Sequence, residues 1–91
     1  MIQRHIKESI DLYVSEGVPP GVFLTAVLSN DLMEALGRAD RENRETLYDI
    51  CGYIYNEIPS ACHGSPEKVK GWLDFKKETK HDIPTYKENR N

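Results

Sequence analysis

Several polar side chains in this sequence stand where helices begin or break, and their types suit a small polar guest. Asn30-Asp31 interrupts an apolar run, and Asn43 follows shortly after. An amide donates and accepts hydrogen bonds side by side, which suits a ribose hydroxyl or the edge of a base. Arg38 stands seven residues beyond Asp31, two turns along if the helix continues. Its fork gives two parallel hydrogen bonds to a phosphate. Gly64-Ser65-Pro66-Glu67-Lys68 reads as a capped helix start, with Ser at the cap, Pro in the first position and Glu beside it. The free N–H groups of such an end, with Lys68 adding a full charge, attract phosphate. Tyr48, Tyr53, Tyr55 and Trp72 offer rings that flank a purine. Each motif also has a plain structural reading: ordinary helix caps, an Arg38 pair with Glu34 or Glu42, and aromatic side chains at a core edge or a subunit contact.

Catalysis has less support. Cys62-His63 puts a thiol beside an imidazole, one route to a nucleophile. Sequence neighbours point apart, and no third group is available to orient the pair. A zinc site lacks two further partners at usable spacing, since Cys51 falls inside a helical pattern. The expectation is therefore no enzyme, no metal and no cofactor.

The elements that must position these groups are helical. Ile2, Ile6, Ile10 and Tyr13 recur at spacings of four, four and three, which predicts a helix to Glu16 closed by Gly17. Pro19-Pro20-Gly21 then forms a stiff entry, with Gly21 allowing close approach of a backbone or ligand. Phe23, Leu24, Val27 and Leu28 make a buried face, a break is expected at Ser29-Asn30-Asp31, and Leu32, Met33 and Leu36 carry the apolar stripe onward to Gly37. Asp40 is a plausible N-cap for a helix through Leu47, Ile50, Cys51, Ile54 and Ile58, ended by Pro59. The last helix buries Val69, Trp72 and Leu73 and fades toward Lys80. This predicts an all-α, compact bundle of four to five short helices. It makes one domain over residues 1–80 with a flexible tail at 81–91.

Composition narrows the partners. The formal net charge is −3, and residues 30–57 hold seven acids against three bases, which repels a polyanion. Polymeric nucleic acid is not expected as a partner. No run of 18 apolar residues predicts a membrane span, and the N-terminus has no apolar signal core. Cys51 and Cys62 are then expected as reduced thiols. A chain of 91 residues buries only about 60–65% of its unfolded surface, so self-association would add useful burial.

The longer pattern is familiar as a set. It runs Gly17-x-Pro19-Pro20-Gly21-x-Phe23-Leu24, then Ala26-Val27-Leu28-x-Asn30-Asp31-Leu32, then Gly37-Arg38-Ala39-Asp40 with Asn43. It continues with Tyr55-Asn56-Glu57-x-Pro59, then Cys62-x-Gly64-Ser65-Pro66-Glu67-Lys68-Val69-x-x-Trp72. It resembles a set of small, mostly uncharacterised helical proteins encoded by phages and prophages, over roughly residues 10 to 73. Proteins of this look often carry Trp between the Cys and the Gly, where this chain has His63. The resemblance implies a phage accessory protein of the host cytoplasm, acting against host defence. Two function classes follow. One is a homo-oligomeric module that sequesters a small signalling nucleotide, of the cyclic dinucleotide or ADP-ribose type, without cleaving it. Its expected ligand-binding residues are Asn30, Asp31, Arg38, Asn43, Tyr55, Asn56, His63, Ser65 and Lys68. The other is a protein inhibitor that meets a host defence factor through its acidic helical surface.

Overall fold

Seven residues after Gly21 are apolar on every side but one: Val22, Phe23, Leu24, Ala26, Val27 and Leu28 surround a single Thr25. A helix with apolar residues almost all round belongs inside a fold. The computed structural model, which describes the backbone of residues 1–87 and the side chains of residues 1–79, puts it there. The chain forms α1 (Arg4–Glu16), α2 (Val22–Leu28), α3 (Leu32–Arg38), α4 (Arg41–Glu45), α5 (Leu47–Glu57), a 3-10 turn (Ser60–Cys62) and α6 (Pro66–Lys87). Five of the seven α2 residues are buried. Around them pack Ile6, Ile10 and Tyr13 of α1, Ala35 of α3, and Ile50 and Ile54 of α5. Ile58, Cys62 and Val69 complete the core. Among the described residues the secondary structure is helical and no strand occurs.

Polar side chains lock the chain crossings. Tyr13 Oη donates to the Cys62 carbonyl at 2.7 Å, and Trp72 Nε1 donates to the Tyr13 carbonyl at 3.1 Å. These two bonds join α1, the 3-10 turn and α6. Burial, with a smaller contribution from Cys62, holds the Tyr13 phenol well above its ordinary range. On the other flank of α1, Tyr53 donates to Asp11 at 2.6 Å, and the Lys7 ammonium lies 5.2 Å from the Tyr53 ring centroid. Gly17 ends α1 in the left-handed region at φ 71, pressed so close to α6 that an added Cβ would lie 2.5 Å from Lys76 Cβ.

The structure departs from the sequence expectation in four places. Among the described residues there are six α-helices, not four or five, because a break at Thr46 separates a one-turn α4 from α5, and the break at Ser29–Asp31 is complete. The Leu32–Met33–Leu36 stripe is not core: these residues are 48%, 80% and 45% exposed, and only Ala35 of α3 is buried. Gly21 approaches nothing, since a Cβ there would meet no atom within 4 Å. Finally, α6 continues past Lys80 to Lys87. The tail expected at 81–91 thus lies in helical backbone as far as Lys87, and residues 88–91 lie outside the described residues. No helix among the described residues is long and apolar enough to cross a membrane.

Candidate functional site

The site begins at the end of α2. Leu28 is fully buried, so the helix cannot run on without burying the polar residues that follow. The chain instead reverses through Asn30, which takes φ 64. Asp31 N–H bonds the Ala26 carbonyl at 2.9 Å and Asn30 N–H bonds the Val27 carbonyl at 3.0 Å. This is the paired closure of a left-handed helix cap, a position where Asn is tolerated after Gly. Asp31 then caps α3, accepting from Glu34 N–H at 3.2 Å. From the far side of the chain, Gly64 N–H donates to the Leu28 carbonyl at 2.7 Å. That bond pins the start of α6 against the α2–α3 turn and makes a ridge of the two.

A hollow lies on each side of this ridge. The first has a volume of about 210 Å³ and is lined by Asn30, Leu32, Cys51, Tyr55, His63 and Gly64, floored by Val27 and Ile54. Its polar groups are an amide, a phenol, an imidazole and a thiol. Burial pushes the Cys51 thiol up, so it stays protonated at neutral pH and is a poor nucleophile there. The second hollow, of about 320 Å³, is lined by Thr25, Ser29, Asp31, Glu34, Arg38 and Pro66, among others. Arg38 Nε donates to Glu34 at 2.7 Å, so this hollow holds one cation, two carboxylates and two hydroxyls.

The predicted residues therefore gather in part. Asn30, Tyr55 and His63 share the first hollow, and Asp31 and Arg38 share the second. Four others line neither. Asn43 is only 8% exposed, with its backbone N–H bonded to Asp40 at 2.8 Å. Its Oδ1 has no protein partner. Asn56 lies on the exposed side of α5. Ser65 caps α6 by accepting from Lys68 N–H at 3.2 Å. Lys68 borders a third, shallow hollow with Ala61, Gly71, Trp72 and Phe75. Sequence reasoning passed over Cys51 as a lining residue. The signal was present, since Cys51 precedes Tyr55 by four residues and so shares its side of α5.

Among the described residues no group of three or more His, Cys, Asp or Glu side chains is placed to hold a metal ion. No family model, curated protein or solved structure matches the chain.

Proposed function

We propose that this chain is a phage accessory protein that binds and sequesters a small signalling nucleotide, of the cyclic dinucleotide or ADP-ribose type, without cleaving it. The observation that carries this reading is the meeting of Asn30, Tyr55 and His63 at one hollow, from three separate stretches of chain. Tyr55 and His63 supply flat faces for a base, and the Asn30 amide supplies a donor and an acceptor for its edge. The second hollow, where Arg38 is paired with Glu34 and Asp31 adds a further carboxylate, offers the Thr25 and Ser29 hydroxyls to a sugar. A protonated Cys51 thiol disfavours attack on the guest. Sequestration needs only that these groups be held ready, with no reacting atom supplied.

Isothermal calorimetry against a panel of cyclic dinucleotides and cyclic ADP-ribose isomers tests it. Binding by wild type is expected with at least one. The informative variant is Asn30→Gly, which keeps the left-handed turn and removes only the amide. It should stay within about 1 kcal/mol of wild-type stability while losing roughly tenfold or more in affinity, the value of one hydrogen bond in a desolvated site. No heat with any member of the panel would end the proposal.

A second reading is supported by a different observation. Asp31, Glu34, Asp40, Glu42, Glu45, Asp49 and Glu57 are all exposed. This acidic helical surface suits an inhibitor that covers a basic site on a host defence protein. It predicts a salt-sensitive protein partner and no small ligand.

A further inference from the structure

Two features of the first hollow are left over once its lining has been assigned. It is small: about 210 Å³, where a pocket that buries a small ligand takes about 300–1,000 Å³. It also opens onto bare apolar surface. Tyr55, at its rim, is 80% exposed, and Tyr48, two turns back on the same side of α5, is 88% exposed. Leu32, at the opposite rim, continues into Met33 and Leu36 along α3. Leu32 and Tyr55 both line the hollow, so the apolar residues of α3 and α5 flank it from two sides.

We infer that a second copy of this chain docks on the face of Leu32, Met33, Leu36, Tyr48 and Tyr55, and that the docked copy closes the first hollow into a complete site. The area argues for it. Given the size of these side chains and their exposures, the face leaves on the order of 700 Å² uncovered. That is close to the roughly 800 Å² that each partner buries in a standard interface. The composition argues the same way, because Tyr and Met concentrate at interface centres. A two-fold pairing lets one patch serve as both partners. The helices that carry the face also bear both signs of charge, in Glu34–Arg38 on α3 and Arg41–Glu45 on the adjoining α4. A copy therefore finds opposite charge at the margin, where a strongly basic partner would also meet Arg38 and Arg41. The inference rests on the first hollow as the binding place, and its test needs no nucleotide.

Cys51 supplies the readout because it lines the hollow, while Cys62 is fully buried and serves as the internal reference. Sedimentation equilibrium of the full chain is expected to give at least twice the 10.5 kDa chain mass. The double variant Met33→Lys, Tyr48→Glu alters two side chains that are 80% and 88% exposed, so its circular dichroism and Tm should match wild type while its mass falls to one chain. N-ethylmaleimide labelling, read by peptide mass, should then modify Cys51 roughly tenfold faster in the variant than in wild type. A wild-type chain that stays monomeric at about 100 µM, far above the dissociation constant of a standard interface, would overturn the inference. So would a variant that remains associated, or a monomeric variant whose Cys51 labels at the wild-type rate. Calorimetry in parallel separates the two ideas: association without nucleotide binding sinks the ligand and leaves the interface standing.

Discussion

Tyr13 joins α1 to the 3-10 turn through its hydroxyl and to α6 through its carbonyl, and titration of the hydroxyl is the route by which alkali should unfold the protein. The phenol is fully buried, and its proton bonds the Cys62 carbonyl. Burial raises its folded pKa above the unfolded value of about 10. The folded state thus holds this proton more tightly. The resulting stability is complete below about pH 10 and is lost as pH climbs from there toward the folded pKa, at up to about 1.4 kcal/mol per pH unit. Tyr13→Phe should cost about 1–3 kcal/mol at neutral pH, by leaving the Cys62 carbonyl unpaired. Urea melts of the two proteins between pH 7 and 11 should show the gap narrowing by about 1.4 kcal/mol at the alkaline end. Parallel curves would show that the phenol does not titrate with unfolding. The Lys7–Asp11–Tyr53 group behaves differently. Lys7 is raised chiefly by its hydrogen bond to Asp11, yet it is exposed, so salt screens most of its effect.

At the scale of elements, short helices survive here through caps rather than length. A helix of five to seven residues is far below the length at which a helix holds by itself. Asp31 caps α3 and Asp40 caps α4, each accepting from the backbone N–H three residues on. Glu34 and Glu42 add favourable charge in the first turns. Asp40→Ala should lower stability by about 1 kcal/mol, with faster amide exchange confined to residues 41–46. Uniform exchange across the chain would mean that α4 does not open separately from the rest. The same caps were readable in the sequence, because Asp at a break followed by an apolar run is a local signal. The break at Thr46 was not readable. Leu47, Ile50 and Ile54 keep one period, and nothing in that period marks where Arg41–Glu45 stops aligning with it.

At the scale of the whole molecule, Gly17 is where α1 meets α6, sixty residues away. A side chain at this position faces both a left-handed backbone and the Lys76 methylene at 2.5 Å. Gly17→Ala should cost about 1–3 kcal/mol and shift the thermal midpoint down by several degrees. An unchanged midpoint would mean that α6 yields locally instead of bearing on the fold. The long α6 spans about 33 Å by its rise per residue, and among the described side chains Val69, Trp72 and Leu73 hold it to the core.

Helix periods, glycine and proline stops and acidic caps are local properties, and they determined from the sequence alone that this chain is helical, that it turns at Gly17 and at Asn30-Asp31, and that α2 is buried. Asn30, Asp31 and Arg38 could be singled out for the same reason, since polar groups beside a break are visible within a few residues. What needed the tertiary structure was which apolar residues stay outside and which polar ones meet. Leu32, Met33 and Leu36 have the same spacing as a core stripe, and only the packing of α3 through Ala35 leaves them bare. Asn30 shares a hollow with His63 and Tyr55 because Gly64 bonds Leu28, 36 positions earlier in the chain. Asn43 turns inward, only 8% exposed, although it stands among the charged residues of Arg41–Glu45. Periodicity counts residues along one helix. Exposure and convergence depend on how helices cross, and that is decided by contacts between residues far apart in the chain.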